Sequence, residues 1–213
     1  MKFVRAKTSI PVPEVYDVYF DPNDSSKAFL LMEYIEGDVL RDVYDTMSSS
    51  QKEEIICQLK DYLDQLRAIE GSFIGSVDGT HCIDPIFQRD KRIYGPYETE
   101  SAFNEGIIDA TKARSQDVFI EMVADMVRAL PKHRIVLTHS DIAPRNILVR
   151  DGKIVALLDW EMGGFYPEYW EYTKVLYMPG WTDSWITERV ADKILKPYHI
   201  EHAIMRNVHE INW

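Results

Sequence analysis

The sequence predicts an α+β fold in two lobes, and three observations carry that expectation. Near the N-terminus, two runs rich in β-branched and aromatic residues, 15–20 and 28–35, flank the turn-forming cluster Asp21-Pro22-Asn23-Asp24-Ser25-Ser26. Further on, apolar residues recur at spacings of three and four through Ile55, Leu59, Tyr62, Leu63, Leu66 and Ile69, the period of one helical face. After Pro131 the period returns to strands, with a polar loop and a tight hairpin embedded in an otherwise helical body.

Each element follows from local chemistry. Residues 1–7 read as the last turns of a helix, which Pro11 and Pro13 must break, since each lacks a backbone donor and forces its predecessor into extended geometry. The two runs that follow read as a β-hairpin with a long loop, ended by Gly37. Ser50 and Glu53 form the expected capping box of the amphipathic helix, and Gly71 stands where a helix C-cap belongs. The stretch 71–97, with Gly75, Gly79, Pro85, Gly95 and Pro96, reads as loop. Residues 99–112 and 117–130 read as helices, the second stopped by Pro131. Residues 135–137 form a short strand, and 146–149 and 154–158 form the arms of a hairpin turning at Asp151-Gly152. The last forty residues read as helical.

The chain has 213 residues with 46% hydrophobic and 28% charged, ordinary globular values that disfavour disorder and fibrous architectures. Twelve Tyr, eight Phe and five Trp can fill a real core. The formal net charge of −11 argues against nucleic-acid binding and against attachment to an anionic membrane. Cys57 and Cys82 are too few for a disulfide framework or a zinc site, so a reducing cytosol is expected. No secretory signal and no membrane-spanning run is visible, and the expected localisation is cytoplasmic.

Chemistry concentrates in His139-Ser140-Asp141-Ile142-Ala143-Pro144-Arg145-Asn146, followed thirteen residues later by Asp159. The hairpin through Asp151-Gly152 has antiparallel arms of similar length, so it returns Asp159 to the end where Asn146 starts. An amide oxygen beside a carboxylate suits a hard cation such as Mg²⁺, which takes oxygen ligands and keeps several waters. Asp141 lies on the loop that delivers Asn146, within reach of a hydroxyl proton beside such a metal. A base for the nucleophile and a metal on the phosphates are what phosphoryl transfer requires. Taken singly, Asp141 and Asn146 are also ordinary loop caps, and Asp159 an ordinary strand-end residue.

The motif His139-x-Asp141-x-x-x-x-Asn146, then Leu157-Leu158-Asp159-Trp160-Glu161, resembles the catalytic core of the aminoglycoside phosphotransferase/choline kinase family. Its fungal-type members are resembled also in Ile10-Pro11-Val12-Pro13-Glu14-Val15, Leu31-Met32-Glu33-Tyr34-Ile35-Glu36-Gly37 and Pro167-Glu168-Tyr169-Trp170-Glu171-Tyr172. The resemblance runs from residue 1 to about residue 175. It implies a two-lobed protein-kinase-like fold with a reduced N-terminal β lobe and hinge at 1–37 and a mainly helical C-terminal lobe at 38–213. It implies Asp141 as catalytic base, Asn146 and Asp159 as Mg²⁺ ligands, ATP as phosphoryl donor, and Met32, Glu33, Tyr34 and Ile35 as the hinge whose backbone binds adenine. Members of the family carry a Gly-rich loop, a strand Lys and a helix Glu ahead of this hairpin. Here Met1 opens in what reads as the end of that helix, so the expectation is a truncated N-terminal lobe, and Ser140 stands where Gly is frequent.

His139 reads as a residue that orients the loop, and Arg145 as either a phosphate contact or an ion-paired surface residue. The cluster Trp160, Phe165, Tyr166, Tyr169 and Trp170 admits two readings: packing among C-terminal helices, or the wall of an amine-substrate site with Glu161 or Glu168 pairing the cation. Glu98, Glu100, Glu105 and Asp109 add carboxylates where the family binds substrate. The expected function is ATP- and Mg²⁺-dependent phosphorylation of a hydroxyl on a small molecule, an amine-bearing alcohol being the guess. The alternative is a pseudokinase or repurposed kinase-fold protein that binds a partner or catalyses non-phosphoryl chemistry. A homodimer covering the reduced lobe is the expected assembly, because an uncovered sheet face and edge demand a partner.

Overall fold

The structure is a computed structural model that describes residues 1–88, 92–114, 118–177 and 183–212. Internal contacts divide the chain into two compact units, Met1–Tyr62 with Ala143–Asp159, and Leu63–Ile142 with Trp160–Trp213.

The first unit opens with helix α1 (Lys2–Lys7). It is followed by an antiparallel hairpin of β1 (Val15–Asp21) and β2 (Asp24–Met32). The turn is tighter than the composition suggested. Asp21 pairs directly with Asp24, and the Asp21 carboxylate accepts from the Asn23 N–H at 2.8 Å, so only Pro22 and Asn23 lie between the strands. Tyr16, Val18, Tyr19, Phe20, Phe29, Leu30, Leu31 and Met32 are all exposed on this hairpin, with Tyr19 stacked on Phe29 at 5.2 Å.

A second sheet in this unit has the order β3 (Asp38–Val39), β6 (Ile147–Arg150), β7 (Lys153–Leu157), all antiparallel. The expected hairpin is present, and its turn needs two residues with positive φ, which Asp151 (53°) and Gly152 (73°) supply. The Leu157 N–H donates to Pro11 O at 2.8 Å, which fixes the segment carrying the buried Ile10 and Val12. Helix α2 (Leu40–Val43) buries Leu40, and helix α3 (Ser49–Arg67) buries Ile55, Ile56 and Leu59 before passing into the second unit with Leu63 and Leu66. The capping box of α3 is not Ser50/Glu53 but the overlapping pair Ser48/Gln51. Ser48 Oγ accepts from the Gln51 N–H (3.3 Å), and Gln51 Oε1 accepts from the Ser48 N–H (2.9 Å). Cys57 of α3 is exposed.

The second unit holds the sheet β4 (Gly75–Ser76), β8 (Gly164–Pro167), β5 (Ile135–Thr138), in that spatial order. Gly71 is not a helix cap. Its N–H donates to Ile135 O at 3.0 Å, and a Cβ there would lie 2.6 Å from the Phe165 ring. Helices α4 (Glu100–Lys112) and α5 (Val118–Arg128) form as expected, α4 capped by Thr99 accepting from the Ala102 N–H; the expected start of α5 at Asp117 lies outside the described residues. The C-terminal part folds as α6 (Trp170–Val175), α7 (Ser184–Thr187), α8 (Val190–Ile194) and α9 (His199–Asn212). The core gathers Phe103, Tyr166 and Trp170, the last two stacked at 5.4 Å, and a buried Asp84–Lys174 ion pair at 2.6 Å. Cys82 is buried, and that burial pushes its thiol up to about 12. No helix among the described residues is long and apolar enough to cross a membrane.

Candidate active site

The segment from His139 to Asp141 begins where β5 runs out in the second unit. Thr138 Oγ1 meets Ser140 Oγ at 2.8 Å and donates to Gly164 O at 3.2 Å, so the strand end is tied to β8. Ser140 then adopts φ of 67°, the left-handed region that a side chain with a Cβ occupies under strain. Two features hold it there. Glu171 of α6 accepts the His139 N–H at 2.6 Å through Oε2 and the Ser140 N–H at 3.1 Å through Oε1. The His139 ring packs on Trp160 (4.3 Å between centroids), and its Nδ1 accepts the Asp141 N–H at 3.2 Å, which places the ring proton of a neutral His139 on Nε2. His139 is thus an orienting residue of the loop. Asp141 is 8% exposed, its backbone fixed by the turn before it.

Glu171 is fully buried, and burial pushes its carboxyl up to about 7, against the opposing pull of the His139 and Ser140 N–H groups. The sequence reading did not single it out. The signal available was a lone acid within the apolar helical run Trp170-Glu171-Tyr172, which reads equally well as a solvent-facing position.

The metal-ligand candidates belong to the first unit. Pro144–Asn146 form a single 3-10 turn, closed by the Asn146 N–H on Ala143 O at 2.9 Å. The Leu158 N–H donates to Asn146 O at 2.8 Å, and Ile147 faces Leu157 across the β6–β7 ladder, so Asn146 and Asp159 sit at one end of the hairpin. Asn146 is buried, whereas Asp159 is exposed with φ of 60°. One amide oxygen and one carboxylate fit a cation that takes hard oxygen donors and fills its remaining positions with water or phosphate. Among the described residues no cluster of three or more His, Cys, Asp or Glu is placed to hold a metal ion.

The remaining candidates separate cleanly. Met32 closes β2; the Glu33 N–H is taken by Glu14 O (2.8 Å), and the Glu33 carboxylate accepts from the Glu14 N–H (3.1 Å). Tyr34 is 89% exposed, and residues 33–37 lie outside any strand or helix. Glu161 is exposed. Glu168 is held by Arg67 (3.3 Å) and Arg134 (3.2 Å), so its charge is already matched. Tyr169 and Trp170 are 0% exposed and pack against His133 and Phe103 respectively, which leaves no surface to serve as a substrate wall. Phe165 and Tyr166 lie on β8 rather than between C-terminal helices. Of the added carboxylates, Glu100 binds His133 and Glu105 binds Arg128, while Glu98 and Asp109 are exposed.

The chain combines a strand, a pinned loop and a hairpin within a mixed helix and sheet fold. Solved structures that the chain is similar to include aminoglycoside phosphotransferases. A thermostable mutant of APH(4)-Ia in its apo form matches with a TM-score of 0.65 at 16% identity, covering 99% of this chain and 71% of that one. A variant of the same enzyme in ternary complex with AMP-PNP and hygromycin B matches at 0.62 and 17%, covering 99% and 72%. The gentamicin complex of APH(2")-IIa matches at 0.60 and 17%, covering 98% and 67%. The model of the phosphotransferase enzyme family (APH) matches residues 1–207, and the chain belongs to that family. Among curated proteins it is similar to Clavilactone A biosynthesis cluster protein Y of Ampulloclitocybe clavipes, 23% identical over 196 residues. That alignment takes in 78% of this chain and 48% of the relative, so the chain spans about half the length of the curated protein it matches.

Proposed function

We propose that this chain phosphorylates a hydroxyl of a small molecule with Mg-ATP as donor. The observation that carries the proposal is the pinned loop ending in Asp141, together with a hairpin that has Asn146 and Asp159 at one end, in a chain of the phosphotransferase family. Asp141 takes the proton of the acceptor hydroxyl. Asn146 and Asp159 hold Mg²⁺ through oxygen; when bound, the ion neutralises charge on the donor phosphates. The backbone of Met32, Glu33, Tyr34 and Ile35 receives adenine through groups other than the Glu33 N–H, which Glu14 O holds. In this reading residues 1–37 supply the hinge, and residues 38–213 supply the loop, the hairpin and the acceptor site. Similar structures with AMP-PNP, hygromycin B and gentamicin support a nucleotide and a hydroxyl-rich, amine-bearing ligand as the substrate class. Of the four residues expected at the acceptor, Glu161 alone stays in the proposal, since it is exposed and its charge is available to a cation. The cytosol is the proposed compartment.

The exposed apolar hairpin favours a second reading, in which the fold binds a partner, and a second copy of the chain is the partner proposed. Calorimetric titration with Mg-ATP separates the two readings. The expected result is micromolar 1:1 binding, weakened at least about tenfold in Asp159→Asn as a charged ligand is lost. Asp141→Asn is expected to keep that binding while turnover falls by roughly 10²–10⁴, the range of general base catalysis. Absence of heat with the unaltered chain would remove the phosphotransferase reading and leave the partner reading.

A further inference from the structure

A polar cleft opens in the second unit away from the candidate active site. Its volume is about 540 Å³, the size of a small-molecule site, and it lies between the first turn of α4 and the end of α5. From its wall at Lys132 the chain must run through β5 before it reaches the loop of Asp141, and the four residues of β5 alone span roughly 13 Å. The carboxylates of the cleft are already taken. Glu105 grips the Arg128 fork at 2.8 and 3.0 Å, and both Glu100 oxygens are turned onto His133. Lys132, exposed at the rim, makes no ion pair among the described residues. The first turn of α4 adds to its charge. Thr99 caps the Ala102 N–H, while the Glu100 and Ser101 N–H groups have no carbonyl within the helix and form the positive end of its dipole. Asn104, 6% exposed, belongs to the same wall one turn further along α4. Its Nδ2 donates to Val127 O at 3.4 Å, and a carbonyl only accepts, so Oδ1 is the atom left over, buried and without a partner. Such an acceptor is costly to leave unpaired, and a donor on a ligand would pair it.

We propose that this cleft binds a small hydroxylated organic anion: its phosphate or carboxylate lies between Lys132 and the first turn of α4, and its hydroxyl donates to Asn104 Oδ1. The site is separate from the nucleotide and acceptor sites proposed above, and it stands whether or not the chain transfers phosphoryl groups. Both halves of the ligand are needed. A bare anion leaves Asn104 unpaired, and a neutral polyol leaves Lys132 unmatched. An amine-bearing cation, the class proposed for the acceptor, is repelled by Lys132 and finds Glu100 and Glu105 occupied.

The test is an NMR titration of the full chain, followed through its backbone amides, with glycerol 3-phosphate, glycerate, inorganic phosphate and glycerol as probes. The first two carry the proposed chemistry and tell a phosphate ligand from a carboxylate one; the last two carry one half each. Saturable shifts of the Ser101, Asn104 and Lys132 amides are expected with at least one of the organic anions, at a Kd on the order of 1 mM or below. Inorganic phosphate is expected to bind at least about fivefold more weakly than glycerol 3-phosphate, and glycerol not at all. Lys132→Gln, at an exposed position, is expected to weaken the organic anion by about tenfold or more, the effect of losing a charged donor. Asn104→Ala is expected to erase the preference for glycerol 3-phosphate over inorganic phosphate. The proposal is overturned if neither organic anion shifts these amides, or if the shifts survive unchanged in Lys132→Gln. Inorganic phosphate binding as well as glycerol 3-phosphate to the unaltered chain would overturn it too, as would shifts confined to the Asn146–Asp159 end of the hairpin. Should Asn104→Ala fail to fold, Lys132→Gln and the comparison of the two phosphates on the unaltered chain decide.

Discussion

His133 lies between two carboxylates at the start of β5: Nδ1 meets Glu100 at 2.8 Å, Nε2 meets Glu201 at 3.3 Å, and its N–H donates to Glu100 at 2.7 Å. Burial pulls the imidazole down, yet Glu100 and Glu201 together outweigh burial and raise it above the usual histidine range. A raised folded value makes the contribution to stability complete below the unfolded value of about 6.5 and lost as pH rises through the folded one. His133→Ala should therefore lower Tm most at pH 6 and least at pH 9; an equal loss at both would mean the imidazolium contributes nothing. Glu171 runs the same way over a different range. Its carboxyl is raised, so the native state keeps a proton that the unfolded chain releases, and stability declines as pH climbs from about 4.5 to about 7. Asp141, Asn146 and Asp159 stood out as candidates because their spacing suits one chemical task. His133 and Glu171 did not, because a lone ionisable residue acquires meaning only from what buries it.

Among elements, those with a clear period were legible. Of the expected stripe, Ile55, Leu59, Leu63 and Leu66 of α3 are buried, as a 3.6-residue period demands, while Tyr62 is half-buried and Ile69 lies half-buried past the end of the helix. The Asp151-Gly152 turn matches its signal for the same reason, since few residue pairs tolerate two positive φ values. Strand β8 was missed, because Gly164–Pro167 is buried at every position and shows no alternation. The start of α3 was misplaced by two residues because Ser48-Ser49-Ser50 offers overlapping capping patterns, and only the hydrogen bonds choose between them. Ser48→Ala should cost about 1 kcal/mol in urea unfolding, the usual value of an N-cap, and Ser50→Ala clearly less. Equal costs would return the cap to Ser50.

For the molecule as a whole, the fold class was legible from the succession of hairpin, helices and embedded hairpin. The β1–β2 hairpin exposes large apolar side chains on both of its faces, an arrangement that two strands alone stabilise poorly in water. Sedimentation across a hundredfold range of concentration is expected to show reversible dimers, and Phe29→Asp should return the chain to monomer with Mg-ATP affinity unchanged. A monomer at every concentration would remove the second copy as the occupant of that surface. The two cysteines open a practical route into such questions. Cys82 is sealed in the core with its thiol pushed up to about 12, whereas Cys57 stands exposed on α3. The native sequence thus carries a selective attachment point for a maleimide dye or nitroxide, on a helix remote in sequence from the 139–146 segment. Label-to-label distances between copies can be measured without engineering a single residue.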